Sequence, residues 1–110
     1  MTHTPGPWRV VPANQYHGAY VVDDTTDVTV CDLYYLHAGA AVALPNAETN
    51  ARLIAAAPVL LEALEKAEKQ FRWYTELHEA KGPEHAAKAD RNRECAERCA
   101  AAIAQARWEG

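Results

Sequence analysis

The order of apolar and polar positions divides the chain into a strand-like first part and a helical remainder. Residues 8–11 and 19–23 are rich in aromatic and β-branched side chains, and residues 28–36 continue this pattern. Such segments between turn-rich loops predict three short strands. The third strand is either continuous or broken near Asp32. Because the connections are short, the sequence predicts a small three-stranded antiparallel sheet.

One face of this sheet is expected to be apolar. Alternation along a strand places every second side chain on the same face. A lone three-stranded sheet needs a cover for that face, and the helices that follow can supply it. The side chains that we expect to share the face are Trp8, Val10, Tyr20, Val22, Val28 and Val30.

From Asn46 onward the apolar period becomes helical. Asn46 is a candidate N-cap, and Glu48 suits the positive end of a helix dipole. Apolar residues at steps of three and four then continue for many turns, and the segment is expected to end near residues 81–83, Lys-Gly-Pro. The connector before it, residues 37–45, consists mostly of small residues. The pattern is compatible with either a loop or a short helical turn in this segment.

Pro58 interrupts the longest apolar helical stretch. An interior proline costs a straight helix about 3 kcal/mol, because one hydrogen bond is lost and the ring clashes with a carbonyl one turn back. Either one helix is kinked at Pro58, or a helix over residues 46–56 ends and a new one begins with Pro58 near its first position. Both alternatives bend the chain, so that the first turns lie on the sheet and the remainder packs against the last helix.

The last helix is predicted from about Pro83 to Arg107, antiparallel to the one before it. Its expected inner face is made mostly of small residues: Ala87 or Lys88, Arg91 or Asn92, Cys95, Cys99, Ala102, Ile103 and Ala106. The predicted fold class is therefore α+β: a small sheet, a Pro-bent helix and a returning C-terminal helix in an αα-hairpin. We expect one domain, with an arm and β-meander (1–44), the bent helix (45–81) and the C-terminal helix (83–108).

Charge and cysteine content indicate which partners and which cellular compartment the protein is expected to have. The formal net charge is −4, and no segment is a basic patch, which disfavours nucleic-acid binding. Binding of a small anionic ligand by one or two arginines needs only local positive charge, so the sequence is compatible with it. The three cysteines form an odd set without a recognisable signal peptide, and no run approaches the roughly 20 apolar residues that span a bilayer. We therefore expect a cytoplasmic protein with free thiols and no membrane partner.

Catalytic and metal-binding motifs are not recognisable in the pattern. There is no Gly-rich phosphate loop, nucleophile elbow or His-Glu-x-x-His helix, so we expect no enzyme and no cofactor. Cys95 and Cys99 share a helix face and can meet a histidine such as His78, His85 or His37. Their spacing differs from the two-residue knuckle of common zinc sites, and we assign both cysteines to packing instead of a metal.

Aromatic side chains are concentrated in the first 36 residues, beside arginine and histidine. Rigid aromatics next to such groups suit a protein partner or a planar ligand. Further along, Trp73 and Trp108 mark a second apolar surface and suggest a homo-oligomer. The candidate contact residues are Trp8, Arg9, His17, Tyr34, Tyr35, His37, Asn50 and Arg52.

Two stretches together resemble a group of small bacteriophage and prophage proteins. They are HTPGPW at residues 3–8 and NARLIAAAPVLLEALE at residues 50–65, about a fifth of the chain. The resemblance implies a phage or prophage origin and an accessory role inside the infected bacterium. It supplies no catalytic residue.

An accessory role of this kind leads to three hypotheses. In the first, the protein binds a host protein, for instance a component of antiviral defence, and blocks it. In the second, it is a sponge that sequesters a nucleotide-type immune signal in a pocket between subunits. In the third, it is a small hydrolase or metal-dependent enzyme, which the missing motifs disfavour.

Overall fold

The computed structural model describes residues 3–107 and resolves into two compact units, residues 3–59 and residues 60–107. The first unit holds β1 (Trp8–Val11), β2 (Tyr20–Asp23), β3 (Thr29–Asp32), β4 (Tyr34–His37), β5 (Ala40–Ala43) and α1 (Ala47–Ala55). Helix α2 (Ala57–Ala80) continues into the second unit, where a 3₁₀ turn (Pro83–His85) leads to α3 (Ala86–Ala106). The three-stranded antiparallel sheet and the C-terminal helix pair confirm the α+β prediction.

The core of the first unit lies between the three-stranded sheet and α1. The sheet has the order β1-β2-β3, and Val21 of β2 lies opposite Val10 on one side and Cys31 on the other. Val21 is fully buried, together with Ala19, Leu33 and Ala51 of α1. Half-buried apolar side chains surround this small cluster: Trp8, Val10, Val30, Cys31, Ala47, Ile54 and Ala55.

The prediction of one shared apolar face is correct for Trp8 and Val10 of β1 and wrong for Tyr20 and Val22 of β2. The register pairs Trp8 with Asp23 and Val11 with Tyr20, so Tyr20 and Val22 lie on the face opposite Trp8. Val28 precedes β3 and is 54% exposed. Alternation fixes which residues of one strand share a face, but the pairing register between strands depends on the turn, which the pattern did not specify.

The proline lies at a helix start. Helix α1 ends at Ala55, and α2 begins at Ala57, so Pro58 is its second residue. In the first turn of a helix a missing N–H costs no intrahelical hydrogen bond, which makes this position tolerant of proline. Of the two alternatives, separate helices are therefore correct. Asn46 does precede α1, but it has a φ of 57° and its side chain makes no capping hydrogen bond.

The connector forms the turn and the second strand of a β-hairpin, which neither open alternative described. The third predicted strand ends at Asp32, and the chain continues through Leu33 into β4, which pairs with β5 as a separate two-stranded sheet. Ala38 and Gly39 form the turn with φ values of 52° and 82°. Positive φ at both central residues is the signature of the tight hairpin turn that matches strand twist.

The second unit is an αα-hairpin whose buried positions recur at steps of three and four. The buried ones are Thr75 on α2 and Ala89, Ala96 and Cys99 on α3. The half-buried ones on the same faces are Leu61, Leu64, Glu68, Phe71 and His78 on α2, and Asn92 and Ile103 on α3. Ion pairs from Arg93 to Glu79 and from Arg107 to Glu65 join one flank of the two helices. Steps of three and four are the spacing of residues at the contact between two helices of a coiled coil.

The inner face predicted for α3 is partly wrong. Cys99 is buried as expected, but the other two buried residues are Ala89 and Ala96, while Ala87, Ala102 and Ala106 are exposed. Alanine occurs on every side of this helix, so the pattern of small residues could not identify which stripe faces α2.

Candidate functional site

The β4–β5 hairpin projects apolar side chains into solvent. Tyr35 is 53% exposed and Leu36 is 67% exposed, and they point to opposite faces because they are neighbours in one strand. His37 at the end of β4 is also exposed. A two-stranded hairpin alone is marginally stable in water, and its edges carry unpaired backbone groups that can pair with another chain.

Leu33 anchors the base of this hairpin. Its side chain is 6% exposed in the core of the first unit. Its N–H donates to the carbonyl of Ala19, and its carbonyl accepts from the N–H of Leu44, both at 2.9 Å. Since one buried residue ties both strands of the hairpin to the core, the exposed segment leaves the fold from a fixed position.

An aromatic cluster supports one side of the hairpin. The ring of His17 lies edge-on to Tyr20 at 5.0 Å and tilted against Tyr34 at 6.5 Å, measured between ring centroids. Gly18 allows this approach, since a Cβ there would lie 2.3 Å from the Cβ of Tyr34. His17 and Tyr34, two of the predicted contact residues, are thus brought together, and their shared role is to hold β4 against the preceding loop.

Trp8 is a structural residue of the N-terminal arm. Its indole Nε1 donates to the carbonyls of Thr4 and Pro5, each at 3.1 Å, and its ring packs against the core cluster. Gly6 of the same arm meets Pro58 at the start of α2, where a Cβ on Gly6 would lie 2.7 Å from the Cβ of Pro58. The arm is therefore fixed from both sides, and Trp8 is not an exposed anchor.

Arg9 is neutralised by the turn between β2 and β3. Its Nε lies 2.9 Å from an oxygen of Asp24, and its Nη2 lies 2.5 Å from an oxygen of Asp27. Asp23, at the end of β2, is buried and accepts a hydrogen bond from the N–H of Thr25. Because the carboxylates of Asp24 and Asp27 both contact this one guanidinium, their combined charge is negative, which disfavours an anionic ligand at Arg9.

Asn50 and Arg52 lie on the exposed side of α1. Ala51 between them is the residue that packs into the core. Within residues 3–107 neither side chain makes a hydrogen bond or an ion pair that would orient it. The structure thus does not bring these two residues together with the aromatic cluster.

Sequence reasoning missed a row of rings at the α2–α3 turn. Tyr74 lies 5.1 Å from Trp73 and 6.5 Å from His78, and His78 stacks on His85 at 5.7 Å with 14° between the planes. Desolvation lowers the pKa of His78, and the nearby Lys81, His85 and Lys88 lower it further. The i, i+4 spacing of Tyr74 and His78 was visible in the sequence, but the stacking of His78 on His85 depends on the geometry of the turn.

A cleft of about 340 Å³ lies beside the same turn. Arg93 lines it and contacts both Glu79 and Asp90, and these hydrogen bonds raise the pKa of the guanidinium. Pro83, Ala86 and Ala89 form an apolar part of the wall. Because Arg93 is paired with both Glu79 and Asp90, the charges that line the cleft sum to −1, which disfavours an anionic ligand.

The three cysteines are free thiols. Cys31 lies in β3, where burial and the neighbouring Asp32 raise its thiol pKa, and Cys95 and Cys99 lie on α3. Within residues 3–107, no three His, Cys, Asp or Glu side chains converge as a metal-ion ligand set. In the same range, no helix combines the length and apolar character needed to cross a membrane. Trp108, predicted as part of a second apolar surface, lies outside the described residues.

Comparison with known proteins gives one family. Searches of curated proteins and of solved structures gave no match. A family model does match the whole chain, and it confirms the phage setting expected from the resemblance. The chain belongs to the family of Salmonella phage P22 protein Y8K6, whose model matches residues 1–110.

Proposed function

We propose that this phage protein is a non-enzymatic binding protein that antagonises a host process, antiviral defence foremost, by binding a host protein. The contact surface is the β4–β5 hairpin. The observation that carries the proposal is the exposure of Tyr35 and Leu36 on a hairpin whose base is fixed to the core. Large apolar side chains in such a position lose solvent contact only when a partner covers them.

The chemistry of the hairpin suits recognition by a protein. Tyrosine supplies a large rigid contact area at low conformational cost, and the edges of β4 and β5 can add a strand from the partner. His37, which is exposed, shares the face of Tyr35 and adds a polar group there. A partner that offers an exposed strand edge beside an apolar pocket fits this surface.

Nucleotide sequestration is the weaker hypothesis. A nucleotide pocket needs a cation beside aromatic rings, and Arg9 instead contacts Asp24 and Asp27. Arg52 lies on the exposed side of α1. Neither arginine is held beside the His17–Tyr34 cluster by a contact within residues 3–107, so host-protein binding is the function that we favour.

The test compares two leucines of nearly equal exposure. Leu36 on the hairpin is 67% exposed and Leu53 on α1 is 65% exposed, so Leu53→Glu is a matched control for Leu36→Glu. Tagged wild-type protein and both variants are used to capture proteins from host cells. Any protein captured is then purified, and its affinity is measured by calorimetry.

We expect wild type and Leu53→Glu to bind one host protein with equal affinity. Leu36→Glu should weaken that binding by about tenfold or more, since a buried carboxylate replaces an apolar anchor. Equal binding by all three proteins would assign the contact to another surface. Deletion of the partner gene should also remove any advantage that the wild-type protein gives the phage, and an undiminished advantage would exclude that partner as the target.

A further inference from the structure

Helix α2 carries a second apolar stripe beside the one that packs on α3. Leu60 is 52% exposed and Tyr74 is 38% exposed, although both belong to the αα-hairpin of residues 60–107. Neighbouring Trp73 is 55% exposed. The stripe recurs at steps of three and four, and we call it the α2 flank: Leu60, Ala63, Gln70 and Tyr74, which are exposed, and Ala67 and Leu77, which are half-buried.

The two sides of α2 differ sharply. The side opposite the α2 flank carries Glu65 and Glu79, whose carboxylates contact Arg107 and Arg93 of α3. The α2 flank has no charged residue along its entire length. A sustained spacing of this kind is the seam of a coiled coil, so the flank fits another helix lying along it.

The α2 flank matches itself when two copies run antiparallel. With Ala67 opposite Gln70 of a second copy, Leu60 lies opposite Leu77 and Ala63 lies opposite Tyr74. Every large side chain then meets either a leucine or a small residue, and the same contacts repeat on both sides of a two-fold axis. A closed two-fold interface requires self-complementarity of this kind.

The rim of the α2 flank is also compatible with a second copy. Lys66 and Trp73 lie on its outer side, where the Nζ of Lys66 is 3.1 Å from a carboxylate oxygen of Glu62 in an exposed pair that leaves the ammonium accessible. The same antiparallel register places Lys66 of each copy near Trp73 of the other. An ammonium group over an indole face is attractive. Two more carboxylates and one more lysine lie beyond the rim at Glu62, Glu76 and Lys69, so equal numbers of positive and negative charges are present and like faces do not repel.

We propose that two copies of this chain associate through their α2 flanks, antiparallel and with a two-fold axis between Ala67 and Gln70. The second copy covers Leu60, Tyr74 and Trp73. The αα-hairpins of the two copies then form a four-helix arrangement in which α2 has a partner on two sides. This inference uses the second unit alone and does not depend on the proposed role of the β4–β5 hairpin.

Sedimentation velocity of the full chain at micromolar concentrations tests the proposal. Wild type is expected to be a dimer. Ala67→Glu places two carboxylates in the middle of the contact and should weaken dimerisation by about a hundredfold, since buried unpaired charges are strongly disfavoured. Ala101→Glu makes the same change at an exposed position on α3 and should leave the dimer intact.

The antiparallel register gives a more specific result. Gln70→Lys added to Ala67→Glu places opposite charges across the axis and should restore much of the lost affinity. Circular dichroism checks that each variant retains its helices. A monomeric wild type, an effect of Ala101→Glu equal to that of Ala67→Glu, or a double variant as weak as Ala67→Glu would each overturn the proposal.

Discussion

Replacement of Gly6 by alanine tests the contact between the N-terminal arm and the start of α2. A Cβ on Gly6 would lie 2.7 Å from the Cβ and 3.0 Å from the Cγ of Pro58. Carbon atoms in favourable contact are about 3.5–4.0 Å apart, so the overlap approaches 1 Å. Neither atom can rotate away, because one Cβ is fixed by the arm backbone and the other belongs to a proline ring in a helix.

The expected cost follows from this overlap. Overpacking of a fixed contact costs about 1–3 kcal/mol. Alanine also restricts the unfolded chain, which returns about 0.4–1 kcal/mol. Gly6→Ala should therefore lower the free energy of unfolding by about 1–2 kcal/mol. The arm should also shift, which should move the NMR signal of the Trp8 indole N–H, since that group donates to the carbonyls of Thr4 and Pro5.

A double-mutant cycle separates this contact from other effects of alanine. Pro58→Gly removes both clashing carbons, so Gly6→Ala should cost much less in that background. We expect a coupling energy of about 1 kcal/mol or more from urea unfolding followed by circular dichroism. Additivity of the two changes within about 0.5 kcal/mol would refute the proposed contact between Gly6 and Pro58.

Three further changes test the fold. Gly18→Ala should displace Tyr34, lower the free energy of unfolding by about 1–3 kcal/mol in a urea titration and weaken protection of the hairpin amides in hydrogen exchange; unchanged protection would contradict the close packing. Val21→Ala leaves a cavity in the small core and should cost about 2 kcal/mol in the same titration, whereas a loss near zero would place Val21 outside it. The pKa of His78 is lowered in the fold, so below the ordinary histidine value of about 6.5 the unfolded chain binds more protons and stability falls with falling pH. Thermal unfolding should show this loss in wild type and less of it in His78→Gln, with the exposed His37→Gln as control; identical pH profiles would exclude His78 as its source.

The strongest sequence signals predicted the elements that the structure contains. Alternation of apolar and polar residues predicted strand β1. The Lys-Gly-Pro sequence at residues 81–83 predicted the end of α2, because few other structures accommodate it. Pro58 marked the break between α1 and α2, because the cost of an interior proline leaves only a kink or a new helix. Local chemistry determines each of these features, which explains why they were predictable.

The misassigned features depend on strand register or on residues that adopt a conformation against their usual preference. The register that pairs Trp8 with Asp23 turned Tyr20 away from the predicted face. The β4–β5 hairpin lacks a typical turn sequence, since Ala38 takes the positive φ that asparagine or glycine usually supplies. Alanine favours helix over strand, so the composition of β5 concealed it.

The candidate site shows the same division. Tyr35 and His37 are exposed, as a contact surface requires, and they were identified from aromatic and histidine content alone. Trp8 and Arg9 were assigned to the same surface, but the arm carbonyls hold the first and Asp24 contacts the second. The partners of Trp8 are backbone carbonyls of the arm, and Asp24 lies in a turn 15 residues from Arg9, so residue type alone could not distinguish a contact residue from a structural one.

In the proposed function, the β4–β5 hairpin binds a host protein to the benefit of the phage. The most direct measurement is the plating efficiency of phage that carry Leu36→Glu, compared with phage that carry Leu53→Glu or wild-type protein. On a host that contains the captured partner, we predict that Leu36→Glu plates as poorly as a phage lacking the gene, while Leu53→Glu plates like wild type. A Leu36→Glu phage that plates like wild type on that host, where the gene-deleted phage does not, would contradict the account.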